Sequence, residues 1–155
     1  MMGGKLGEHV VLELDRFLPY RLSVLSNRIS QDIARLYGER FGLNITEWRI
    51  LAVLGRYPDL SAGEVAERTA MDKVAISRAV ATLLKDGRLK RRTHADDRRR
   101  SVLALSAKGC RIYDQVAPLA LQLERELLST LDADERHWLE RILGKLEAAE
   151  IAHSR

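Results

Sequence analysis

The chain holds a single cysteine, Cys110, in 155 residues. No intramolecular disulfide can form, and a cysteine-rich zinc site is excluded. The four histidines, His9, His94, His137 and His153, are scattered without a His-x-x-x-His pair. They read as surface residues, and no metal is expected. Aromatic residues make up only 5% and prolines number three, which suits helices better than a β-sandwich. Apolar runs such as Val10–Leu12 fall far short of the roughly 20 residues needed to cross a bilayer, so no membrane partner is expected. Met1–Leu6 lacks the charged-then-apolar pattern of a secretory signal, which makes the expected location cytoplasmic. A glycine-rich phosphate loop, a nucleophile elbow and a paired-carboxylate site are all missing from the sequence. An enzyme is therefore not expected, nor a cofactor.

What the chain does have is a hydrophobic fraction of 46%, a charged fraction of 31% and a net charge of +4. The length suits one domain spanning residues 1–155. The charge is concentrated. Between Lys85 and Arg100 stand Lys85, Arg88, Lys90, Arg91, Arg92, Arg98, Arg99 and Arg100, against Asp86, Asp96 and Asp97. The remainder is close to balanced. A basic cluster on a neutral body marks a polyanion binder; a solvated surface is the plainer alternative.

Hydrophobic spacing organises the chain. Val10–Leu18 suits a short helix, and Pro19 suits the first turn of the next segment. From Tyr20, the positions Leu22, Leu25, Ile29, Ile33 and Leu36 recur every three or four residues, predicting a long amphipathic helix that ends between Gly38 and Gly42. Thr46 is placed to cap a second helix, which Tyr57-Pro58-Asp59 stops. Ser61 and Glu64 have capping-box spacing for a third helix through Ala70. Asp72 caps a fourth, ended by Gly87. Arg88–Thr93 and Arg100–Leu105 read as two short strands around a polar tip, His94–Arg99. Ser106 caps a fifth helix in which Pro118 should introduce a bend. Asp132 and Glu135 open the last helix, with Trp138, Leu139, Ile142, Leu143 and Leu146. The expected fold is mainly α with a small β-hairpin. The flanking striped helices, residues 9–42 and 107–152, have too little core of their own to cover, and their natural partner is a second subunit.

On a helix from Asp72 to Asp86, Ala75, Ile76, Ala79, Val80, Leu83 and Leu84 fall on one face, suited to anchoring against Leu51, Val65 and Ala66. Lys73, Val74, Ser77, Arg78 and Ala81 fall on the other. Small residues between two cations permit close approach to a major groove, where Arg78 can donate a bidentate pair to guanine. At the hairpin tip, Arg98 and Arg99 suit a minor groove, and Asp97 is placed to hold one guanidinium by charge-assisted hydrogen bonds. Ser61, Arg92 and His94 complete the candidate DNA-binding set.

These residues resemble the MarR family of transcriptional regulators over roughly Leu12–Leu146. The resemblance rests on Thr46-Glu47-Trp48-Arg49-Ile50-Leu51, on Asp72-Lys73-Val74-Ala75-Ile76-Ser77-Arg78, and above all on Asp97-Arg98-Arg99 followed by Leu103-Ala104-Leu105-Ser106-Ala107-Lys108-Gly109. It implies a winged helix-turn-helix lobe, residues 46–105, and a homodimer joined by helices from both termini. Asp72–Lys85 would be the recognition helix and Arg88–Leu105 the wing. The implied partner is double-stranded DNA at a pseudo-palindromic operator, with repression released by a small aromatic or anionic effector. Arg88 departs from the apolar residue usual after the glycine, and would load charge onto the wing base and loosen strand packing.

For an effector, Tyr20, Arg21, Val24, Ile45, Trp48 and Arg49 offer an aromatic wall with cations. The plainer alternative makes Trp48 core and pairs Arg49 with a nearby carboxylate. Cys110, in the first turn of the fifth helix beside Lys108 and Arg111, opens a redox alternative, because a helix N-terminus lowers thiol pKa. A nucleoid-type, sequence-independent DNA binder is a further alternative, distinguished by equal affinity for all duplexes.

Overall fold

The computed structural model describes residues 9–149. The readings on Met1–Leu6, on His153 and on residues 150–152 of the expected dimerisation segment lie outside them. The described chain forms two compact units, divided between Ala117 and Pro118.

In the first unit, the helix expected over Val10–Leu18 shrinks to one 3-10 turn, Leu14–Arg16, whose N-cap, Glu13, makes no side-chain capping bond. Val10 and Val11 are exposed β-branched residues, which neither nucleate nor bury a helix. Helix α1, Leu18–Phe41, carries Pro19 in its first turn and closes at Gly42, whose φ of 65° is the left-handed conformation.

Helix α2 spans Ile45–Arg56, and its cap is Asn44 rather than Thr46. The Asn44 side chain accepts the Glu47 N–H at 2.8 Å, and the Glu47 carboxylate accepts the Asn44 N–H at 3.4 Å. Both residues can cap. Asn44 wins because Glu47 stands three positions after it, completing the reciprocal box. The Ser61–Glu64 box opens α3, Ala62–Thr69, as expected. Ala70 then turns left-handed at φ 52°, and the Met71 N–H reaches back to the Ala66 carbonyl at 3.2 Å. That tight turn delivers Asp72, whose carboxylate caps α4, Lys73–Lys85, through the Ala75 N–H at 2.9 Å.

Ile50 and Leu51 of α2, Val65 of α3 and Ile76 and Leu83 of α4 are completely buried in one core. Each aliphatic side chain so buried stabilises the lobe by roughly 1.5–3 kcal/mol before entropy is counted. Strand β1, Leu89–Thr93, pairs antiparallel with β2, Ser101–Leu105, in the register Leu89 opposite Leu105. Both strands begin one residue later than expected. The Arg88 N–H instead bonds the Leu83 carbonyl at the end of α4, and the Arg100 N–H bonds Asp97 within the tip. Leu60 bridges to Leu103, so the α2–α3 connection forms a short third edge to the hairpin. Ser106 caps α5, Ala107–Leu128, through the Gly109 N–H at 3.0 Å.

The second unit holds the remainder of α5 from Pro118 and α6, Ala133–Ala148. Asp132 and Glu135 form the expected capping box, at 2.8 and 3.0 Å. Arg136 donates to the Leu128 carbonyl at 3.0 Å and ties the two segments together. Trp138, Leu139, Ile142, Leu143 and Leu146 of α6 are all exposed. Among the described residues, no helix is long and apolar enough to cross a membrane.

Candidate nucleic-acid interface

Helix α4 is anchored by Ile76, Ala79, Val80 and Leu83, which are buried against α2 and α3. Ala75, assigned above to that anchoring face, is exposed. The core begins at Ile76, and the first turn of α4 stands clear of it. The opposite face is as expected. Val74, Ser77, Arg78 and Ala81 follow i, i+3, i+4, i+7 spacing and form a ridge along the helix. With Lys73 they line an open, shallow depression of about 370 Å³.

The wing is built around backbone hydrogen bonds at its tip. Asp97 accepts the Arg99 main-chain N–H on its carboxylate at 3.0 Å, and its carbonyl accepts the Arg100 N–H at 3.1 Å. The expected clamp on a guanidinium is therefore absent, and Asp97 shapes the turn instead. A two-residue offset places the amide within reach of a short carboxylate, as in an Asx-turn. His94 also serves the tip, its Nδ1 accepting the Asp96 N–H at 3.1 Å. Arg91, Arg92, Arg98, Arg99 and Arg100 surround a basic depression of about 290 Å³.

Two of these cations are paired. Arg92 binds the Asp59 carboxylate, and Arg100 binds Glu64. The Arg92 hydrogen bond holds the Asp59 carboxyl below its ordinary range, and Asp59 in turn raises Arg92. Arg98 and Arg99 make no ion pair among the described residues. Sequence reasoning missed Asp59 and Glu64 as residues that orient the wing. Glu64 was visible only as the partner of Ser61, whose hydroxyl is engaged in that cap.

Arg88, expected to load charge onto the wing base, turns its side chain towards α1. Its guanidinium donates to the Phe41 carbonyl at the end of α1, while its Nε is buried without a hydrogen-bond partner. Its main-chain carbonyl accepts the Ser106 N–H at 3.1 Å. Arg88 thus joins α1, α4, the wing and the start of α5.

The six candidate effector residues do not converge. Tyr20, Arg21 and Val24 share an open depression of about 290 Å³ with Asp15, Leu25 and Arg28. Trp48 is core, with ring centroids 5.6 Å from Tyr37 and 6.1 Å from Tyr113. Burial raises the Tyr37 phenol above its ordinary pKa, opposed by the nearby Arg49 charge. Arg49 donates to the Ser30 hydroxyl at 3.0 Å and approaches the Met71 sulfur, rather than a carboxylate. Ile45 is half-buried beside them. Cys110 is exposed. No cluster of metal-ligating side chains occurs among the described residues.

Residues 41–100 match the model of the MarR family. The chain is 29% identical over 115 residues to the HTH-type transcriptional regulator BilQ of Clostridium symbiosum, covering 74% of this chain and 80% of that protein. It is similar to a MarR/EmrR family transcriptional regulator from Acinetobacter, at a TM-score of 0.79 and 28% identity, over 88% of this chain and 96% of the other. The fold also matches the PcaV transcriptional regulator of Streptomyces coelicolor, solved with its natural ligand, at a TM-score of 0.67 and 23% identity, over 92% and 100% of the two chains.

Proposed function

We propose that this chain is a DNA-binding transcriptional regulator of the MarR family, whose model its residues 41–100 match, and that it works in the cytoplasm as a homodimeric repressor of a pseudo-palindromic operator, released by a small aromatic anion. The observation that carries the reading is the exposed ridge of α4 together with a wing tip whose Arg98 and Arg99 make no ion pair among the described residues. The ridge suits base edges in a major groove, and the tip suits the narrow, negative minor groove next to it. Lys73, Val74, Ser77, Arg78, Arg98 and Arg99 would touch DNA. Asp97, His94, Arg92 and Ser61 would hold the surfaces that do.

Dimerisation is supported by apolar surface left exposed in each unit among the described residues. Leu18, Leu22 and Leu25 of α1 are exposed, as are Trp138, Ile142 and Leu146 of α6. Clustered large hydrophobes of this kind mark contact sites. Two recognition helices related by a twofold would enter major grooves about 10 base pairs apart. For the effector, the α1 depression sets Tyr20 among Arg21 and Arg28, a surface suited to a ring bearing a carboxylate.

Footprinting on genomic fragments selected by the purified protein tests the reading, alongside sedimentation equilibrium. A dimer protecting an inverted repeat is expected. A monomer at micromolar concentration, or protection without sequence preference, would overturn it.

A further inference from the structure

Val74 is the one member of the α4 ridge with a sizeable side chain that can neither donate nor accept a hydrogen bond. It is 57% exposed, on a surface it shares with Lys73, Ser77 and Arg78. It occupies the second position of the helix, in the turn that reaches base edges when a recognition helix enters a major groove. Its β-branched side chain has essentially one rotamer available on a helix, so the two methyl groups are already aimed and little ordering is required on binding. Behind it, the Asp72 cap and the Ile76 anchor hold the turn in place. On the major-groove edge of the four base pairs, only one group is apolar, the C5-methyl of thymine.

We infer that Val74 reads a thymine methyl, so that each operator half-site carries a thymine next to the base addressed by Arg78. The inference rests on the DNA-reading role proposed above. The Val74 ridge position makes it a specificity-determining residue: the cationic side chains suit guanine or phosphate, whereas Val74 rejects bases lacking a methyl at that place. The neighbouring Ala81 is too short to reach as far, and serves close approach.

The test uses the full-length protein and its selected operator, with each thymine replaced in turn by deoxyuridine, which removes only the methyl. For the parent protein, one thymine per half-site should lose about fourfold in affinity, the worth of one buried methylene-sized group. Val74→Ala should bind the thymine and deoxyuridine operators equally at that position. Arg78→Ala should weaken binding yet keep the fourfold ratio. Val74 is exposed, so unchanged melting of Val74→Ala is expected and is checked in parallel; Val74→Thr, which retains one methyl, provides a second folded variant with an intermediate ratio. A parent protein that discriminates operators but ignores every methyl overturns the inference alone, as does a Val74→Ala variant that keeps the full ratio. A parent protein that binds all duplexes alike overturns the DNA-reading role itself, and the inference with it.

Discussion

Replacing Gly109 by alanine sets two effects of opposite sign against each other. In an open helix the change stabilises by about 1 kcal/mol. Gly109 is buried in the first turn of α5, where a Cβ would collide with the Arg88 carbonyl oxygen and lie 3.2 Å from the carbonyl carbon. That carbonyl cannot swing away. The Arg88 N–H is bound to Leu83 on one side, and the carbonyl itself is bound to Ser106 on the other. Relief requires α5 to withdraw, stretching the Ser106 N–H bond and the 2.6 Å bond from the Ser106 hydroxyl to Gly87. Overpacking costs about 1–3 kcal/mol, and each weakened hydrogen bond about 1 kcal/mol. The sum exceeds the helix-propensity gain by about 2–4 kcal/mol. Thermal unfolding at fixed protein concentration should show a Tm lower by roughly 4–16 °C. Gly144 of α6 is the control, because nothing lies within 4 Å of its added Cβ; Gly144→Ala should raise stability by about 1 kcal/mol. A Gly109→Ala protein as stable as Gly144→Ala would refute the packing argument.

Arg78→Ala should cost about 1–3 kcal/mol of operator affinity and relax sequence preference, measured on operator and scrambled duplexes. Arg99→Ala should weaken both duplexes by similar factors and flatten the salt slope by about one unit. Asp97→Asn keeps an oxygen for the Arg99 N–H and should bind DNA at least as tightly as the parent, whereas Asp97→Ala should bind more weakly; equal weakening in both would refute the turn role. The Asp59 carboxyl is lowered by Arg92 from its ordinary value of 3.8. Its stabilising contribution is therefore fully present above that value and is lost as pH falls through the lower folded one. The stability difference between parent and Asp59→Asn should be present above about pH 4 and shrink as pH falls below it.

The helices were legible where local signals are unambiguous. Ser61 with Glu64, Asp132 with Glu135 and Asp72 alone each marked a helix start that the structure reproduces. At Asn44 and Thr46 two residues with the same capping chemistry competed, and only the reciprocal bond from Glu47 separates them. Ala75 fits the helical stripe by angle but not by depth, since burial depends on where α2 and α3 end. The ion pairs of Arg92 and Arg100 join residues far apart in sequence and have no local signature. The same holds for Trp48, whose place between Tyr37 and Tyr113 is set by tertiary packing. Arg88 looked like excess charge on a strand, and only its reach to Phe41 shows what it contacts.

The central claim is sequence-specific recognition of DNA by α4 and the wing. Its most direct test is the equilibrium affinity of the purified protein for a selected operator and for the same duplex scrambled, across a range of salt. The operator should bind at least about 10³-fold more tightly at physiological salt, with both affinities falling as salt rises. Coincident isotherms for the two duplexes at every salt concentration would contradict the claim.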